Sequence, residues 1–434
     1  MIMPMRRHCL SGSVRLVCAL GLTALSLVSL DAQSSLTVEQ AIDLALQNNG
    51  TVRSALEERT GARARLEASR ASLFPTIDLS ASSTTTRIEQ GGLTDESTQR
   101  QSALSVDWLL LDNGQRDLRL RQASRSADLA SQSARETVRR VIFGTARAYY
   151  DVLRREELLQ VADAQVERAR TLLEVAKAQA EVGTAPAKDV LQAEADLANA
   201  LVQQIQARNA LRLAQSELKR LIGWEPTRPL PELVKIETPQ ELPPVADLNT
   251  LWARARTQRP DLRNAELSAQ VSRLGVDIAR NNSLLQVQVS LRGFREFDPT
   301  TRTQGSLQLL ASYPLFDGGL TRANLRQAEA DFRSAQFRLL QTERDAYAEV
   351  ESAFLSYSES GERLQAARLA LNAAQRNFEA ARDSFQEGVG TIVEVLTAQL
   401  ALVTAQTNFV QAVYDSVIAE LQLKLAVGDP LPKE

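Results

Sequence analysis

Apolar residues recur in steps of three and four along two stretches of the chain. In the first, Val190, Ala193, Leu197, Ala200, Gln204, Ala207, Leu211, Ala214, Leu218 and Leu221 step without a break, the heptad pattern of a coiled coil, with one polar exception in each stretch, Gln204 here and Ser416 in the second. The second runs through Val395, Ala398, Leu402, Ala405, Phe409, Ala412, Ser416, Ala419, Leu423 and Ala426, each 205 positions after its counterpart. The frequent alanines let helix axes approach closely, and so narrow a seam leaves polar faces on both sides. A wall of helices with water inside and outside needs that pattern.

Elsewhere the period is two. Leu104, Val106, Trp108 and Leu110 alternate with Ser105, Asp107 and Leu109, and Leu307, Leu309, Ala311, Tyr313 and Leu315 alternate with mostly polar partners. Ile77, Leu79 and Ala81 match Val287, Val289 and Leu291 in the same way. These runs predict strands at about 74–86, 101–111, 284–294 and 305–316, with one apolar and one polar face, as in transmembrane β-strands. Trp108 and Tyr313 sit near strand ends, where membrane-interface aromatics lie. The polar stretches GGLTDESTQ and FDPTTRTQ read as outer loops. Four strands leave two edges, and lipid does not tolerate an open edge. The chain must pool strands with other copies, eight in a dimer or twelve in a trimer, and only the larger barrel leaves a usable lumen.

The offset of 205 extends beyond the seams. It pairs Gly183 with Gly388, Asp189 with Glu394, Gly223 with Gly428, and Leu111-Asp112-Asn113-Gly114 with Phe316-Asp317-Gly318-Gly319. Nearer the start it becomes 210, a change that a loop between strands absorbs. Two structural repeats follow, 33–222 and 247–427, each with short helices, two strands, a very long helix (117–181; 321–387) and a shorter long one (186–222; 391–427). Residues 223–246 form a linker with six of the 14 prolines, which cannot continue a helix and wraps the outside. Residues 428–434 are a tail. The longest helices reach roughly 100 Å and their partners about 55 Å at 1.5 Å per residue. Helices 51–72 and 261–281, stacked end to end on the shorter ones, would nearly make up the difference, giving a layered cylinder.

Residues 1–32 read as a secretory signal peptide, with Arg6 and Arg7 ahead of the apolar run Leu16 to Leu30 and cleavage near Ala32. Cys9, Cys18, His8 and all three methionines fall in or before that run, so the exported chain has no thiol, imidazole or thioether. Cysteine nucleophiles, Ser-His triads, Cys/His zinc sites and the usual haem ligands are excluded, and no cofactor or metal is expected. Loss of Arg6, Arg7, Arg15 and Asp31 takes 50 basic and 53 acidic residues to 47 and 52, a balance of −5. Well-mixed, mildly acidic charge does not suit nucleic acid. Hydrolysis by carboxylates alone remains chemically available, yet no strand-end pair of acids stands out.

With these residues in place, the chain resembles the TolC-like outer-membrane efflux proteins. The resemblance rests on Phe74-Pro75 before the first strand, Arg259-Pro260-Asp261-Leu262 at a helix start, Leu315-Phe316-Asp317-Gly318-Gly319 after a strand, and the tips Gly183-Thr184-Ala185-Pro186-Ala187-Lys188-Asp189-Val190-Leu191 and Gly388-Val389-Gly390-Thr391-Ile392-Val393-Glu394-Val395-Leu396. It spans essentially the whole exported chain. Asn49-Gly50-Thr51-Val52 departs from the Pro-Asp-Leu pattern at the first-copy helix start, and Leu284-Leu285-Gln286 lacks a proline before the third strand.

The resemblance implies an α+β membrane protein: a homotrimer whose twelve-stranded β-barrel in outer-membrane lipid is continuous with a long coiled-coil periplasmic tunnel. It implies passive export with a periplasmic adaptor (membrane fusion) protein and an inner-membrane transporter of RND, MFS or ABC type, and no enzymatic activity. The contrasting reading is a non-conducting, periplasm-spanning structural coiled coil. Glu394 matches the family's tip acid and implies a gate. Asp189 is open between that role and favourable placement at a helix start, and Thr397 stands where the family often has a second acid. Val182, Gly183, Thr184, Glu387, Gly388 and Val389 are expected to contact the adaptor's helical hairpin.

Overall fold

The computed structural model describes residues 35–433 apart from 184, 238, 240, 241, 283, 299 and 300. The signal peptide and Thr184 lie outside the described residues. The order of elements is α1 (Val38–Asn48), α2 (Gly50–Ala71), β1 (Thr76–Gln90), β2 (Leu93–Leu111), α3 (Gln115–Glu181) and α4 (Ala187–Ile222). It then repeats as α5 (Leu248–Gln258), α6 (Pro260–Asn281), β3 (Gln286–Asp298), β4 (Arg302–Ser312), α7 (Leu320–Gln386) and α8 (Ile392–Val427).

α3 and α7 are each 67 residues long, roughly 100 Å. α2 and α4 both lie along α3, and α6 and α8 both lie along α7, while α3 also touches α6 and α8. The α8 seam is buried from Val395 to Ala426, with Phe409 partly covered. On α4, Ala193, Ala200, Ala214 and Leu218 are buried and the intervening seam positions are half-buried.

The stacked helices meet at two joints of the same design. Asn49 ends α1 and caps α2, accepting from Thr51 N at 2.9 Å while its Nδ2 donates to Leu221 O at 3.0 Å, at the end of α4. In the second copy Arg259 ends α5 and Pro260 starts α6, and the guanidinium donates to Ala426 O at 2.7 Å, at the end of α8. Both joints need glycine. A Cβ on Gly223 would stand 2.5 Å from Asn48 Cβ, and one on Gly428 3.0 Å from the Gln258 backbone, at φ of 66° and 90°.

Arg259 is nearly enclosed and also pairs with Asp261 and Glu349. Burial of Asp261 disfavours its charge, but hydrogen bonds and charge from Arg259 outweigh this and hold the carboxyl below the usual range. The motif Arg-Pro-Asp-Leu is thus the second joint. Its first-copy counterpart, neutral Asn49, makes the same carbonyl contact without a charge.

Linker and tail bind the helices. Leu36 pairs with Leu233 in an isolated parallel bridge, and the Tyr149 hydroxyl lies 2.7 and 2.9 Å from Leu36 O and Val234 O. Burial pushes the Tyr149 pKa up to about 12, so that hydroxyl keeps its proton. Tyr357 donates to Pro243 O and Arg368 to Pro239 O. Arg139 donates to the carbonyls of Gly428 and Asp429, and Lys433 pairs with Asp43.

The strands form one antiparallel sheet in the order β1-β2-β3-β4. Its register aligns Ile77 with Val106, Val106 with Leu291, and Leu291 with Leu307, so the apolar positions of four strands share one face. The strand bounds differ from those that periodicity predicts. β1 runs to Gln90 and β2 starts at Leu93, with only Gly91-Gly92 at positive φ between them, so most of GGLTDESTQ is strand. Ser and Thr on both faces carry no alternation, which is why the stretch reads as loop. β4 begins at Arg302 and stops at Ser312, two residues before Pro314, which has no N–H for a ladder. Tyr313 therefore lies just past the strand.

At each strand-to-helix passage an aspartate caps the long helix. Asp112 accepts from Gly114 N and Arg116 N, and Asp317 from Gly319 N and Thr321 N.

Candidate functional site at the helical tips

The two hairpins end in turns built alike. Gly183 and Gly388 both have φ of 78°. Each donates to the carbonyl three residues back, and Val389 N reaches Ser384 O at 3.0 Å, completing a Schellman stop for α7. Pro186 is the N-cap of α4, one residue before the helix, and Thr391 that of α8. Val182 and Val389 are 73% and 80% exposed, apolar side chains presented to the outside of both turns.

The tips pack against each other. Phe378, Phe385, Ile392, Val395 and Ala398 of the second hairpin share one cluster with Leu172, Ala176 and Ala193 of the first, and Val190 and Leu396 border it. This brings the neighbours of Asp189 and Glu394 into one packed unit. Glu394 is exposed and its carboxylate accepts from Thr391 N at 3.1 Å, while Glu394 N donates to Thr391 Oγ1 at 3.3 Å. The Thr397 hydroxyl turns back on Val393 O at 2.7 Å. Asp189 is half-exposed in the first turn of α4.

Three contacts between the hairpins are not legible in the sequence. Gln399, 2% exposed, donates to Asp196 Oδ2 at 2.9 Å and so joins α8 to α4. Burial pushes the Asp196 carboxyl up, with the Gln399 hydrogen bond opposing. Higher up, Arg154 on α3 reaches Asp415 on α8, and the buried Tyr414 donates to Glu157 at 2.8 Å. The only signal is a polar residue beside a seam position, Asp196 next to Leu197 and Gln399 next to Ala398, which sequence alone does not separate from a solvated face.

At the other end, Trp108 lies in β2 opposite Val289, and its Nε1 donates to Leu73 O at 3.4 Å. Trp108 and Tyr313 are 44% and 57% exposed. Leu315 and Phe316, past the strand, are more exposed still and extend the apolar band toward α7. Among the described residues no helix is long and apolar enough to cross a membrane.

The family model for outer membrane efflux proteins matches residues 41–224 and 251–429. Outer membrane protein TolC of Salmonella enteritidis is 26% identical over 425 residues, 93% of this chain and 85% of that protein. The alkaline protease secretion protein AprF of Pseudomonas aeruginosa is 26% identical over 404 residues, 89% of this chain and 83% of that protein. The solved structure of the outer-membrane channel OprN aligns with a TM-score of 0.80 at 22% identity, covering 91% of this chain and 90% of that one. With both repeats matched, a four-stranded sheet running into paired long helices, and glycine-turned tips at the far end, the chain belongs to the outer membrane efflux protein family.

Proposed function

We propose that this chain is the outer-membrane channel of a tripartite efflux or type I secretion system, a passive conduit rather than an enzyme. The observation that carries the reading is continuity. One chain joins a sheet with one apolar face to two helices of 67 residues, each roughly 100 Å long. Residues 1–32 act as the export signal, 33–222 and 247–427 as the two repeats, and 223–246 with 428–434 as the outer band.

Three copies complete the channel. β1 and β4 are the open edges of the sheet, and Leu79 and Leu307 near them are more than 70% exposed. The helical layer also leaves apolar residues at its edges, Leu191 and Leu213 on α4 and Phe337 and Leu369 on α7, each 64–70% exposed. A second copy covers both kinds of edge at once, and twelve strands close with an aqueous lumen. Trp108 and Tyr313 lie at the membrane interface. Glu394 and Asp189, with Thr397 one turn on, line the periplasmic constriction, where three copies of each carboxylate favour cations. Val182, Gly183, Thr184, Glu387, Gly388 and Val389 dock the adaptor's hairpin, which links the channel to an inner-membrane transporter.

Reconstitution in planar bilayers tests this. Denaturant-resistant trimers and discrete, cation-selective conductance are expected. Trimers with no conductance under any voltage would instead make the protein a structural coiled coil.

A further inference from the structure

The packed tip is not solid. Between α3 of one hairpin and α7 and α8 of the other lies a cavity of about 310 Å³, near the lower end of the sizes used for small ligands. Phe378, Phe385 and Val395 form apolar walls, each under a tenth exposed, and Val175 stands at the more open side.

One cation is set into this wall. The Nη2 of Arg168 lies 3.4 Å from Gln406 Oε1, a long contact, and among the described residues no acceptor reaches its enclosed Nε. The other charges at the cavity are committed elsewhere. Glu167 accepts from Arg170 at 2.6 Å, and Arg382 donates to Asp383 at 2.8 and 3.0 Å. Burial pushes the Arg168 guanidinium below the ordinary arginine range, yet a guanidinium does not give up its proton in a protein. A charge that stays, part-buried beside apolar walls and with one donor unmet, suits an anion.

We propose that this cavity binds an amphipathic anion, a medium-length alkyl chain ending in a carboxylate, with its headgroup on Arg168 and its tail among Phe378, Phe385 and Val395. The walls come from both hairpins, so the bound molecule ties them together and stabilises this arrangement of the tip. The inference rests on the cavity of one chain and does not depend on conduction.

The exported chain has no cysteine, so Val175→Cys gives the exported protein, in lipid nanodiscs, a single thiol per chain, on the cavity wall. Its rate of labelling by a neutral maleimide is measured with decanoate, with decanol and with neither. Decanoate slows labelling about tenfold, the weight of one charge-assisted contact, decanol much less, and Arg168→Gln removes the protection by decanoate. Val182→Cys at the exposed turn is unaffected by either additive. Equal protection by decanol, protection that survives Arg168→Gln, or no protection overturns the proposal. If Val175→Cys fails to assemble, the thermal midpoint of the unaltered protein decides between the same outcomes. Decanoate raises it and decanol does not, and an absent or equal shift overturns the proposal.

Discussion

Thr391 and Glu394 hold each other at the start of α8, each side chain accepting the other's backbone N–H, at 3.3 and 3.1 Å. This capping box gives the tip acid a structural role alongside its proposed place in the gate. Two substitutions separate the roles. Glu394→Gln keeps an acceptor in the box and removes the charge, whereas Glu394→Ala removes both and costs about 1 kcal/mol of helix capping. If charge sets the constriction, both raise conductance and weaken block by multivalent cations to the same degree in single-channel recordings. A phenotype confined to Glu394→Ala would assign the residue to the cap alone.

Asp415 on α8 is shared between Arg154 on α3, at 3.1 Å, and Arg363 on α7, at 3.0 Å. One carboxylate thus ties three helices. The groups are a quarter to a half exposed, so solvent screens them, and Asp415→Asn should cost only about 1 kcal/mol, read as a small drop in thermal midpoint. Arg154 is the more enclosed partner. A double-mutant cycle should therefore give stronger coupling for Asp415 with Arg154 than with Arg363.

The joint at Arg259 carries a larger penalty. Arg259→Met leaves Asp261 partly buried without its cation, a loss of about 3–5 kcal/mol, while Asn49→Ala at the other joint forfeits the Leu221 carbonyl contact and the cap on α2, about 2 kcal/mol together. The folded-state pKa of Asp261 is depressed. Its stabilising contribution is therefore present above the unfolded value of about 4 and lost as pH falls through the folded value. Urea midpoints measured from pH 7 down to pH 3 should fall for the native chain and lose this component in Arg259→Met.

Membrane placement is testable by fluorescence. The chain has three tryptophans, with Trp224 in the linker, Trp252 on α5 and Trp108 in the sheet. A Trp224→Phe, Trp252→Phe chain retains only Trp108. In vesicles with brominated acyl chains its emission should be strongly quenched, and that of a Trp108→Phe chain should not.

Much of the architecture is legible from periodicity because each element here obeys a single period. The seam from Val395 to Ala426 is written in steps of three and four, and it is buried almost throughout. The strands are legible only where they touch apolar surroundings. Ser82 to Thr86 pair with Ser97 to Gln101 as regular β-structure, yet they show no apolar face, so the hairpin beyond the apolar band reads as loop in the sequence. The tip acids are visible through a resemblance and through helix position. Arg168, Asp196, Gln399 and Asp415 are not, because nothing in one sequence says which polar residue on a two-faced helix meets another hairpin.

The joints have a mechanical consequence. α3 and α7 run unbroken from the sheet to the tip, whereas the paths through α4 and α8 end at Gly223 and Gly428 against the corners of other helices. Load entering at Gly388 passes up α7 through a continuous ladder of backbone hydrogen bonds. Along α8 the same load arrives at a butt joint held by the guanidinium groups of Arg259 and Arg139 and by close packing. Each chain is thus two stiff struts flanked by jointed rods, so a twist at the periplasmic end reaches the barrel along the struts and is dissipated at the joints.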